Sequence, residues 1–126
     1  MEQDILVNPQ EKELLINKLK SVKFEEFEVH SHFYNKQGRP RHGIGLGQAK
    51  KIFEKFDKII SVSKRRKPDW FTYSFIYKIN SRTSYYLIFI LDEKPIKIFD
   101  VYCCGKNIEK RLYKKYGFRP RYLFCL

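Results

Sequence analysis

The sequence is short of cysteine, glycine, acidic residues and long apolar runs, and each shortage closes off a class of protein. Cysteine occurs only at 103, 104 and 125. An odd set with an adjacent pair does not make the disulfide frame of a small secreted domain, so free thiols are expected. Neither Cys-x-x-Cys nor His-x-x-x-His spacing is present, which argues against structural zinc. The six glycines include Gly43, Gly45 and Gly47, but they follow neither the dinucleotide nor the Walker pattern. No apolar stretch reaches the roughly 18–20 residues of a membrane span. Met1-Glu2-Gln3-Asp4 has neither the basic nor the apolar part of a secretory signal, so a cytoplasmic protein without membrane contact is expected. Asp92, Glu93 and Asp100 are scattered, and no motif fixes them as a metal-dependent nuclease site. No metal and no cofactor are expected.

What is abundant is positive charge and aromatic surface. Lys and Arg number 26 against 14 acids, a net charge of +12. A chain this far from neutral repels itself, and a polyanionic partner relieves that cost. RNA, DNA or an acidic protein fits the description. With 43% hydrophobic and 17% aromatic residues, the 126-residue chain can bury a core and is expected to fold as one domain.

Local patterns predict an α-β-α-β-β-β-α order. Over residues 8–22, Asn8 can cap, Pro9 takes the first helical position and Glu11 completes a capping box. Leu14, Leu15, Leu19 and Val22 make the apolar stripe of that helix. From Phe24 to Tyr34 the pattern alternates, with Phe27, Val29 and Phe33 on one side and Glu28, His30, His32 and Tyr34 on the other, predicting a strand. Asn35 to Gly43 reads as a loop, and Ile44 to Ile60 as a helix with lysines on its outer face. Residues 64–69 read as a charged connector. Segments 71–79, 84–91 and 96–103 predict an antiparallel meander, and 106–116 a closing helix. The fold class expected is α+β, an antiparallel sheet of about four strands with helices packed on one face. Its opposite face would meet a ligand.

Four groups of residues could carry chemistry. On the expected strand, His30 and His32 project from one face about 7 Å apart. A histidine there can take the proton of a ribose 2′-hydroxyl or return one to a leaving 5′-oxygen. The loop Gly38-Arg39-Pro40-Arg41-His42-Gly43 lies just before the predicted second helix, where arginines and helix amides can clamp a phosphate. The run Lys64, Arg65, Arg66 and Lys67 precedes Trp70 and the alternating Phe71, Tyr73, Phe75 and Tyr77, a mixture of cations and rings that suits single-stranded nucleic acid, with the cations on its phosphates. The same alternation also describes a core face, which leaves Trp70 and Tyr77 open between the two roles. Arg82 is a further cation of the first meander turn.

Arg41-His42-Gly43-Ile44-Gly45-Leu46-Gly47-Gln48-Ala49-Lys50-Lys51-Ile52-Phe53 resembles the signature of BrnT-type toxins of the RelE-like ribonuclease superfamily. Glu109-Lys110-Arg111-Leu112-Tyr113 resembles that family's closing helix, and the likeness runs over about residues 29–116. It implies a RelE-like core over 24–116, to which helix 8–22 and tail 117–126 would be additions. It also implies metal-independent cleavage of messenger RNA, held in check by an antitoxin protein, with Arg41 and His42 as site residues. Cys103 and Cys104 stand where the family tends to have Arg and Lys. The expected function is therefore an RNA-cleaving toxin using His32, Arg41 and His42, with RNA held by His30, Arg39, Lys64, Arg65, Arg66, Trp70, Tyr77 and Arg82. The alternatives are a non-catalytic nucleic-acid-binding protein and a metal-dependent DNA endonuclease.

Overall fold

The computed structural model describes residues 4–36, 44–103 and 108–116. Strand β1 (Asp4–Leu6) leads into helix α1 (Pro9–Lys20), a 3-10 turn (Phe24–Glu26), the short strand β2 (Glu28–Val29) and helix α2 (Ser31–Lys36). Helix α3 (Leu46–Phe53) and a second 3-10 turn (Phe56–Lys58) follow. The meander β3 (Ile59–Arg66), β4 (Phe71–Lys78), β5 (Ser84–Ile90) and β6 (Lys97–Cys103) then runs into helix α4 (Ile108–Tyr116).

The sheet has six strands in the order β1-β3-β4-β5-β6-β2, all neighbours antiparallel except β2, which lies parallel to β6. The α+β class and the three meander strands agree with the sequence reading; the count of four strands and the purely antiparallel sheet do not. Helix α1 forms where expected, the Asn8 side chain accepting from the Glu11 amide at 2.8 Å, but it ends at Lys20 and Leu14 of the predicted stripe faces solvent, with Ile16 beside Leu15 and Leu19 at the core instead. The Glu11 carboxylate, instead of closing the capping box, takes a bond from Lys64 Nζ at 3.1 Å.

Two corrections concern how far a period extends. Helix α3 stops at Phe53, not Ile60. Ile59-Ile60-Ser61-Val62 is β-branched at three of its four positions, which costs side-chain freedom in a helix and fits a pleated sheet. Pairing with β4 claims the segment, and with it Lys64, Arg65 and Arg66, which belong to a strand and not to a connector. The other correction is at Phe24–Tyr34, where only Glu28 and Val29 pair as strand. Phe33 reaches the core from a helical turn, its amide bonding the His30 carbonyl at 3.0 Å.

The faces of the sheet differ in what covers them. On one, α1 and α3 pack over Val62, Tyr73, Phe75, Tyr77, Leu87 and Phe89 in the main core. Phe27, Phe53 and Phe75 ring Phe89 with centroids 4.7, 5.9 and 5.7 Å away. Phe89 is fully buried, and burial of such a side chain contributes about 1.5–3 kcal/mol. On the other face, α4 places Ile108 and Leu112 against Ile60, Ile76 and Tyr86 in a smaller cluster. Helices therefore lie on both faces and not on one. No helix among the described residues is long and apolar enough to cross a membrane.

Candidate functional site

The part of the second face that α4 leaves uncovered is a cleft of about 300 Å³. The pleat explains its polarity. In β4, Tyr73, Phe75 and Tyr77 face the main core, so Thr72 and Ser74 face the other way. In β3 the same alternation sends Arg65 into the cleft, while its neighbours Lys64 and Arg66 lie toward the Phe71 ring at 5.6 and 5.9 Å from its centroid. Asp4, His32, Lys67, Tyr86, Phe99, Asp100 and Tyr102 also line the cleft.

One wall is a histidine and a carboxylate. His32 Nε2 lies 3.4 Å from Asp100 Oδ2. The Asp100 side chain is 7% exposed against 32% for His32. Its other oxygen, Oδ1, accepts the Val101 amide at 2.8 Å, which turns Oδ2 toward the imidazole. The Phe99 ring stacks on His32 at 4.2 Å and 13° between planes, fixing the plane of the ring. A buried acid holding an oriented imidazole beside polar space is an arrangement suited to proton transfer.

The opposite wall is an ion cluster. Arg65 donates through Nε and Nη2 to the two Asp4 oxygens at 2.8 and 3.1 Å, and Lys115 of α4 reaches the same carboxylate. Burial pushes the Asp4 carboxyl upward, but the bonds and charges of Lys115 and Arg65 outweigh it and hold the group below its usual value.

His30 and His32 do not share a strand face. His30 precedes α2 and its Nδ1 accepts the His32 amide at 3.0 Å, so it caps that helix. Its ring packs by Phe99 at 4.9 Å and Trp70 at 6.3 Å. Burial, followed by the nearby Lys97 charge, lowers its pKa and favours the neutral, accepting ring. Tyr77 is fully buried and its hydroxyl donates to the Phe53 carbonyl at 3.0 Å. That burial takes it away from any ligand. The Trp70 indole N–H is buried without a bonded acceptor among the described residues. Lys64 pairs with Glu11 on the α1 side of the sheet. Arg82 is exposed in the β4–β5 turn and is not a lining residue of the cleft. Arg39, Arg41 and His42 lie outside the described residues.

The structure thus brings His32, Arg65 and Lys67 into one cleft and adds Asp4, Thr72, Ser74, Phe99 and Asp100, none of which the sequence placed in a site. A signal for some of them was present. Thr72 and Ser74 are the small polar members of an otherwise aromatic alternation, and Asp100 is an acid amid apolar Ile98, Phe99 and Val101. Asp92 is kept apart from Asp100, because it accepts the hydroxyl of Tyr73, a residue of the main-core face, at 2.7 Å. Among the described residues no three His, Cys, Asp or Glu side chains gather as a metal site.

The fold and the site define an α+β protein with a six-stranded mixed sheet whose polar face carries a His–Asp pair and a cluster of cations. Compared with known proteins, the chain matches no family model, no curated protein and no solved structure.

Proposed function

We propose that the chain is an RNA-cleaving protein, a metal-independent endoribonuclease acting in the polar cleft. The observation that carries this reading is the His32–Asp100 pair at 3.4 Å in the same cleft as Arg65 and Lys67. Cleavage of RNA without a cofactor needs a base for the 2′-hydroxyl, cations for the phosphate charge that grows in the transition state, and an acid for the 5′-oxygen. His32 takes the 2′-proton, with Asp100 stabilising the imidazolium that forms. The 2′-oxygen attacks phosphorus, the bond to the 5′-oxygen breaks, and the products carry a 2′,3′-cyclic phosphate and a 5′-hydroxyl. Arg65 and Lys67 face the phosphate, replacing the cations that the toxin family tends to have where this sequence has Cys103 and Cys104. Arg41 and His42 stay site residues by the toxin resemblance, Arg41 on phosphate and His42 as the second group able to move the proton, here returning it to the 5′-oxygen, and an acidic antitoxin is the partner that this reading expects.

The test is incubation with total RNA in excess EDTA, followed by mapping of new ends. The wild type should leave cyclic-phosphate ends, and His32→Ala should lower the cleavage rate by roughly 10²–10⁴-fold while keeping its fold. Asp100→Asn should fall between the two. Steeply salt-dependent binding with no cleavage by the wild type would replace this reading with the non-catalytic binding protein. Cleavage abolished by the chelator would replace it with a metal-dependent nuclease.

A further inference from the structure

The contacts around Asp4 form a site with its own occupant. Asp4 stands opposite Arg65 in the β1–β3 register, and the guanidinium meets both carboxylate oxygens with the fork that it also presents to phosphate. Lys115 arrives from α4, a helix held on the sheet by Ile108 and Leu112. The carboxylate is the inner member, 15% exposed, while the side chains of Arg65 and Lys115 are 41% and 47% exposed. Two cations from separate elements therefore converge from the solvent side on one anion at the edge of the cleft. A lone exposed ion pair contributes little to stability, so pinning a three-residue edge strand does not by itself account for two cations on one acid.

We propose that Arg65 and Lys115 form a phosphate subsite across the cleft from the His32–Asp100 pair, and that the Asp4 carboxylate fills it as an internal stand-in until an RNA backbone phosphate displaces it. The proposal rests on the nucleic-acid reading of the cleft and adds a regulation to it. Because Asp4 is tethered, its effective concentration at the cations exceeds that of dilute free phosphate. Single small anions lose that competition. A polyanion that engages Lys67 and the rest of the cleft at the same time wins it. Asp4 thus selects for a chain of phosphates over an isolated one and keeps the subsite partly neutralised when no chain is bound.

The experiment measures affinity with a probe that the protein cannot cut, a fluorescein-labelled hexauridylate methylated at every 2′-oxygen, by anisotropy at several salt concentrations. Asp4→Asn should bind it about five-fold more tightly, and the salt slope should steepen by about one released ion. Lys115→Gln should bind several-fold more weakly than wild type, and the double variant should return close to wild type. Equal or weaker binding by a folded Asp4→Asn overturns the proposal. Should Asp4→Asn fail to fold, Lys115→Gln decides, since its side chain is half exposed: unchanged affinity overturns the proposal and weakened affinity supports it. A second arm follows the thermal midpoint in inorganic pyrophosphate, which should rise for Asp4→Asn and hardly at all for wild type or Lys115→Gln. If neither protein binds the oligonucleotide but pyrophosphate stabilises Asp4→Asn, the RNA reading fails and the subsite stands. If neither probe separates the variants, the subsite is overturned.

Discussion

Strand β4 presents two surfaces drawn from the same eight residues, and they have opposite characters. Tyr73, Phe75 and Tyr77 enter a core of interlocked rings under α1 and α3. Thr72 and Ser74 look out on the cleft, alongside Arg65 of β3 and Asp100 of β6. Period two decides membership, because each step of one residue along a strand moves a side chain to the other face. The difference teaches that the aromatic run holds the fold together, whereas the small hydroxyls between the rings leave room for chemistry. The rings are too well packed to serve as a stacking platform for bases.

The sharpest way to break this division is a pair of substitutions one residue apart. Phe75→Ala removes a fully buried ring and should cost about 3–5 kcal/mol of stability in urea unfolding. Ser74→Ala, on the other face, should cost under about 1 kcal/mol, since it removes one small hydroxyl that borders the cleft and leaves the packed rings untouched. Equal losses would mean that the cleft face is as structural as the core face.

A smaller effect separates the two readings of Tyr77. Tyr77→Phe keeps the ring and removes the hydroxyl bonded to Phe53, so unfolding should show a loss of about 1–2 kcal/mol. RNA affinity should stay at the wild-type value. A drop in affinity with no loss of stability would return Tyr77 to the ligand-binding surface.

The smallest effect lies where α2 joins the cleft. His30 accepts the His32 amide, and its pKa is lowered by burial and by Lys97. A base whose folded pKa lies below its unfolded one contributes stability that is complete above the unfolded value, near 6.5, and is lost as pH falls through the folded value. Stability should therefore decline as pH falls below about 6.5. His30→Asn, which offers an acceptor that does not titrate in this range, should flatten that part of the profile. An unchanged profile in the variant would show that the cap does not depend on the neutral ring.

Much of the scaffold was legible in the sequence because local signals and tertiary packing agree there. Asn8, Pro9 and the α1 stripe specify a helix, and the alternation of β4 with its flanking turns specifies a meander strand. The rest was hidden where one pattern supports two structures. The spacing of Phe53, Phe56, Ile59 and Ile60 suits a helix, yet the partner strand β4 draws Ile59 onward into the sheet. Phe27, Val29 and Phe33 suit a strand, yet a histidine cap starts a helix between the last two. Strand β1 is three residues long and gains its place from Arg65, a residue about sixty positions away. Of the candidate site, His32, Arg65 and Lys67 were foreseen by residue type. Their meeting with Asp100 and Asp4 depends on strand order, which no short motif encodes.

The account rests on the polar face of the sheet being the surface that meets nucleic acid. Amide chemical shifts followed during titration with the 2′-O-methylated oligonucleotide test this most directly. The largest changes should fall on Arg65, Lys67, Thr72, Ser74, Phe99 and Tyr102, with α1 and α3 unmoved. Changes concentrated instead on the exposed lysines of and after α3, at Lys51, Lys55 and Lys58, with the cleft residues silent, would contradict the account.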